Sequence, residues 1–170
     1  MKSRTQRSII VVVLTLVVGT LLLLFFLQRP GLVLVLRDQQ TGKVLASIPV
    51  EEGEQLTYRW IHSAEFIPWI EEFTIQKDGS FRLNTIKVAG FGAGIPENKG
   101  VTSVKDGMVV MEQLDQVFGK IRWIHSQTAL TSITVGDTIF ITGEDVPHHI
   151  PVELTIEGVG TIWPRYPLTK

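Results

Sequence analysis

Glu71-Glu72-Phe73-Thr74-Ile75-Gln76-Lys77-Asp78-Gly79-Ser80-Phe81-Arg82-Leu83-Asn84-Thr85-Ile86-Lys87-Val88 reads as two short β-type runs, Glu71–Lys77 and Phe81–Val88, joined by a tight turn. In Lys77-Asp78-Gly79-Ser80 the glycine stands where a hairpin needs positive φ. Gln40-Thr41-Gly42-Lys43 repeats that chemistry upstream. Working outward, further β-like runs are expected at Leu32–Arg37, Lys43–Pro49, Gln55–His62, Gly107–Glu112, Lys120–His125, Ile133–Val135, Thr138–Thr142 and Val152–Ile156. Strands spaced by roughly 8–12 residues and bounded by Gly, Asp, Asn and Pro argue for an all-β sandwich or barrel. One departure is expected: Met111, Leu114, Val117 and Phe118 have helix-like spacing, so Val109–Phe118 is assigned a short helix.

The chain contains an internal echo. Arg59-Trp60-Ile61-His62-Ser63 recurs as Arg122-Trp123-Ile124-His125-Ser126, with flanks that barely match. In a strand, alternation puts Tyr58, Trp60 and His62 on one face with Leu56, and Ile121, Trp123 and His125 together in the second copy. Each histidine therefore sits on the aromatic, core-ward face at a strand end. Neighbouring His62 and Ser63 point apart, which excludes a Ser-His dyad within either copy. Two readings stand for these histidines: rim residues that cap the core, or ligand-binding groups that meet at one end of the sheet. His148-His149, after Pro147, is expected in an exposed loop.

The stretch from His62 to Glu72 is the densest mixture of polar and aromatic groups, with Glu65 in a Pro68-containing connection and Glu71 and Glu72 entering the next strand. Salt bridging to Arg59 or Arg122 is the structural role open to Glu71 and Glu72. The functional alternative is that Glu65 and one of Glu71 or Glu72 orient His62 or receive a cationic group. Gly90-Phe91-Gly92-Ala93-Gly94-Ile95-Pro96 could offer backbone amides to an anion, but it lacks the Gly-Lys-Ser/Thr ending of a P-loop and the spacing of a dinucleotide fingerprint.

Together, His62-Ser63-x-Glu65-x-x-Pro68-x-x-Glu71-Glu72 and Phe91-Gly92-Ala93-Gly94-Ile95-Pro96 resemble the bacterial domain of unknown function 1850 family, over roughly Leu32 to Pro96. Ile95 stands where that family's loop usually has leucine. The resemblance implies an accessory partner of TAXI-type tripartite ATP-independent periplasmic (TRAP) transporters, which import organic acids or amino acids. It supplies no reaction. The binding residues expected on the combined reading are His62, Ser63, Glu65, Glu71, Gly92, Ala93, Gly94, Pro96 and His125, with the strand-end segment and the glycine loop forming one polar recess for a small organic anion or a partner's side chain. No catalytic residue, metal ligand or cofactor is assigned.

The N-terminal end reads differently. From Ile9 to Leu27 only Thr15, Gly19 and Thr20 interrupt an apolar run, which at about 1.5 Å per helical residue covers about 30 Å, the thickness of a bilayer core. A cleaved signal peptide competes, since Lys2, Arg4 and Arg7 would form its basic region, but the run is long and no small-x-small site follows. The expectation is therefore a cytoplasmic 1–7, a transmembrane signal-anchor over 8–28 that makes the lipid bilayer a partner, and an extracytoplasmic β domain over 31–170.

After the apolar run there are 13 basic and 17 acidic residues, a formal −4, so a basic nucleic-acid footprint is absent. With no cysteine, disulfides, thiolate metal sites and lipoprotein processing are excluded. Three functions compete on this reading. The first is a membrane-anchored accessory or ligand-binding module for solute transport; the others are a metal-assisted envelope hydrolase using His62, His125 and Glu65, and a structural envelope-assembly protein.

Overall fold

A computed structural model describes the backbone of residues 4–27, 31–90 and 100–159 and the side chains of 10–21, 31–90 and 100–158. A helix, α1 (Arg4–Leu27), precedes β1 (Gly31–Asp38), β2 (Val44–Val50), β3 (Gln55–Ile61), β4 (Pro68–Ile75), β5 (Phe81–Val88), β6 (Val101–Lys105), β7 (Met108–Glu112), β8 (Gln116–Phe118), β9 (Ile121–Ile124), β10 (Leu130–Val135), β11 (Thr138–Thr142) and β12 (Pro151–Val159). The decisive hairpin forms as its residues require. Gly79 takes φ +82°, and Asp78 Oδ1 accepts from the Ser80 amide at 3.0 Å and from its hydroxyl at 2.6 Å. A Cβ at Gly79 would also lie 3.1 Å from the Ile156 carbonyl oxygen, so the turn is held against β12.

The strands form two antiparallel sheets. One has the order β2-β1-β12-β9, and the other runs β11-β10-β3-β4-β5-β7-β6 with β8 paired to β5. Alternation dictates the core. Leu34 and Leu36 of β1 and Leu154 of β12 meet Leu56, Phe73, Phe81 and Ile133 of the larger sheet in one cluster. Each such side chain, taken from water, stabilises the fold by roughly 1.5–3 kcal/mol. Each run expected from the sequence holds a strand, and the sandwich reading describes this arrangement.

Three expectations are corrected. Residues 109–118 are not helical: β7 and β8 occupy them, and Gln113 (φ +60°) and Asp115 (φ +49°) between these strands adopt a conformation no right-handed helix contains. The helical spacing arose because Met111 and Leu114 both reach the core from a strand and the bend that follows it. β4 starts at Pro68, three residues before the expected Glu71, and so takes Trp69 into the sheet.

The third correction is the anchor. Among the described residues no helix is long and apolar enough to cross a membrane. The span over 8–28, the bilayer as a partner, and the single-pass topology with its extracytoplasmic domain lose their support with it.

Candidate functional site

The pairing of β3 with β4 sets Leu56 opposite Phe73, Tyr58 opposite Glu71 and Trp60 opposite Trp69. Leu56 and Phe73 are buried, so this shared face points into the sandwich. At its open end the rings stack. Trp60 and Trp69 lie 5.0 Å apart between centroids, and His62, just beyond β3, stacks on Trp69 at 5.7 Å with planes 20° apart. His62 is fixed by its backbone: its amide donates to the Ile67 carbonyl at 2.9 Å and its carbonyl accepts from the Phe66 amide at 2.8 Å. From the opposite sheet Trp123 packs on Tyr58 at 5.4 Å.

A carboxylate sits inside this aromatic group. Glu71 Oε1 accepts a hydrogen bond from Trp69 Nε1 at 3.0 Å. Burial pushes the Glu71 carboxyl above its usual range, and the Trp69 bond opposes that only in part. Burial, and then the nearby Glu71 charge, likewise push the Tyr58 phenol up. The salt bridges open to Glu71 and Glu72 go elsewhere: Glu72 pairs with Lys87, and Arg122 pairs with Glu153.

Two nitrogens of the stack are unsatisfied. Trp60 Nε1 and His62 Nδ1 are buried and have no hydrogen-bond partner among the described residues. Leaving such a group unpaired costs about 1–3 kcal/mol. The other two orphan atoms, Ser103 Oγ and Thr155 Oγ1, are single hydroxyls on β6 and β12. Among the described residues, only the β3 end brings two orphans together.

The second pentapeptide shows the same residues fully satisfied. His125 is completely buried; its Nε2–H donates to the Gly143 carbonyl at 2.8 Å, and its Nδ1 accepts from Trp123 Nε1 at 3.4 Å. That network assigns the proton to Nε2. Gly143 must be glycine to serve as this acceptor, because a Cβ there would lie 2.3 Å from the Leu130 carbonyl oxygen. His62 and His125 follow strands of different sheets and have different partners.

The expected site residues thus divide. His62 and Glu71 join one cluster, His125 caps the core, and Ser63 and Glu65 are exposed on the turn between β3 and β4. Gly92, Ala93, Gly94 and Pro96 lie outside the described residues. His148 and His149 are exposed as expected, their rings stacked at 3.7 Å, with His148 Nδ1 accepting from the Gln127 amide at 3.1 Å. Sequence reasoning left out Trp60, Trp69 and Tyr58 as site residues. The alternation of Tyr58, Trp60 and His62 signalled them, but nothing local revealed that Trp69 and Glu71 would lie opposite.

The hydrolase reading is overturned, because among the described residues no group of three or more His, Cys, Asp or Glu could hold a metal ion. A simple anion as ligand also fits poorly. It would lie in the same cluster as the half-buried Glu71 carboxylate, and like charges repel.

Fold and site together define an antiparallel β-sandwich protein with an aromatic–carboxylate cluster at one end of its larger sheet. Residues 56–140 match the family model described as Domain of unknown function (DUF1850), and the chain belongs to that family. The match begins and ends further along the chain than the Leu32–Pro96 resemblance and takes in both pentapeptides. It carries no link to TRAP transporters, so the transport-accessory function and those partners lose their support. No curated protein and no solved structure matches the chain.

Proposed function

We propose that this domain is a small-molecule binding module, with its site at the end of β3 and β4. The ligand presents hydrogen-bond acceptors to Trp60 Nε1 and His62 Nδ1 and an apolar face to the Trp60 and Trp69 rings. The observation that carries this reading is the pairing of two buried, unpartnered nitrogens in one aromatic stack. A pair of orphans that a single ligand could satisfy together is a preorganised donor set. The contrast with the second copy, where the identical Trp–His pair has its nitrogens occupied, supports this reading. His62, carrying its proton on Nδ1, would donate beside the Trp60 indole.

The test follows the indole N–H signals of the ¹⁵N-labelled full chain while fractions of low-molecular-mass cell extract are titrated in. A binding fraction moves the Trp60 signal and leaves the Trp123 signal in place, and Trp60→Phe abolishes the protection against thermal unfolding that this fraction confers. If no fraction moves the Trp60 signal, the reading is wrong.

A further inference from the structure

Glu71 differs from the other glutamates that make side-chain pairs. Glu72, Glu112, Glu153 and Glu157 each pair with a lysine or arginine. Glu71 faces the sandwich interior, and its hydrogen bond comes from a neutral indole. Among the described residues it has no cationic partner. The rings of Trp60, Trp69 and His62 pack together at this end of the strand pair, with Trp69 joined to Glu71 through its indole N–H, Tyr58 opposite Glu71 and Trp123 packed on Tyr58.

Aromatic faces attract a cation within about 6 Å of the ring centroid, most strongly when water is excluded, and a carboxylate beside them adds the opposite charge. The larger setting agrees, since the β domain is acidic, with 17 acidic residues against 13 basic ones after the apolar N-terminal run. A cation alone would leave the two orphan nitrogens unpaired. An anion alone would face Glu71 without compensation. One molecule satisfies all the groups when it carries both charges a few atoms apart.

Building on the binding-module reading above, we infer that the ligand class is a compact zwitterion with an alkylated ammonium. Its cationic end lies against Glu71 and the Trp60, Trp69 and Tyr58 rings, and its carboxylate accepts from Trp60 Nε1 and His62 Nδ1. Glu71 is then the residue that sets specificity. Because the ammonium favours ionised Glu71, affinity rises as pH rises through the elevated titration range of this carboxyl.

The experiment titrates the full chain by calorimetry with three probes: glycine betaine, tetramethylammonium and acetate. Glycine betaine is expected to bind with one site per chain, tetramethylammonium at least about ten-fold more weakly, and acetate more weakly still. Glu71→Gln should weaken glycine betaine at least about ten-fold without lowering the unfolding temperature, and should remove the pH dependence of binding. Trp60→Phe should weaken it while leaving the preference for zwitterion over acetate. Acetate binding as tightly as glycine betaine, or glycine betaine binding that ignores Glu71→Gln, would overturn the zwitterion. Silence from all three probes would do the same, and the binding module itself would still be judged by the extract titration.

Discussion

Arg59–Ser63 and Arg122–Ser126 are the same five residues in two places, and the places give them different chemistry. The first copy lies on β3, between β10 and β4 in the larger sheet, where Trp60 and His62 stack on Trp69 and each keeps an unpaired buried nitrogen. The second lies on β9, at the edge of the smaller sheet, where Trp123 donates to His125 and His125 donates to Gly143. Even the arginines differ: Arg59 reaches the Thr134 hydroxyl at 3.4 Å, whereas Arg122 pairs with Glu153. A sequence motif fixes which groups are present on a face. Whether they are satisfied depends on what the opposing strand supplies, and here the unsatisfied copy is the one beside a half-buried carboxylate.

The two copies should differ most at their histidines. His125→Ala should cost on the order of 3 kcal/mol, because it opens a cavity and leaves both the Gly143 carbonyl and the Trp123 indole unpaired. The same change at half-buried His62, which has no side-chain hydrogen bond to lose, should cost about 1 kcal/mol or less. Urea denaturation of the two variants measures the difference. Equal losses would mean that both copies are structural.

A smaller effect separates the tryptophans. Trp123→Phe gives up the bond to His125 and should cost about 1 kcal/mol more than the loss of ring volume alone. Trp60→Phe removes an unpaired donor, so its cost in the same denaturation series should be lower than that of Trp123→Phe. The reverse order would show that Trp60 Nε1 has an intramolecular partner.

Glu71 makes the first copy respond to pH. Its native carboxyl titrates above the unfolded one, so in the window between the two the native chain holds a proton that the unfolded chain has released. Stability from this group is full below the unfolded pKa and is lost as pH rises through the native one. Glu71→Gln should flatten that segment of the stability profile and leave the variant at least as stable as the parent at neutral pH. Unfolding midpoints collected from acidic to neutral pH test this, and a profile steeper in the variant would contradict the assignment. The smallest effect belongs to the arginines: Arg122→Ala should cost less than about 1 kcal/mol, since its pair with Glu153 is solvent-exposed on the arginine side. Arg59→Ala should cost still less.

Much of the fold was legible because its signals are local. Asp78-Gly79 and Thr41-Gly42 specify their turns by backbone conformation, and the alternation of Leu34 with Leu36, or Phe81 with Leu83, places each on the core face whatever lies opposite. β6 and β8 were not legible: they are short, and Val101, Val104 and Val117 are exposed, so burial imprinted no pattern on them. Val109–Phe118 misled because apolar spacing counts residues and cannot register the left-handed turns at Gln113 and Asp115.

Within the site, strand alternation alone puts Tyr58, Trp60 and His62 on one face, points His62 and Ser63 apart, and repeats the arrangement in Trp123 and His125, because it depends only on neighbouring residues. Packing between distant segments supplied the rest. It carried β4 back to Pro68 so that Trp69 and Glu71 face Trp60 and Tyr58, and it brought the Gly143 carbonyl to His125 while leaving His62 Nδ1 without a partner. Those partners arrive from separate strands and loops, and hydrogen-bond satisfaction is a property of atoms within about 3 Å in space, which position in the chain does not encode.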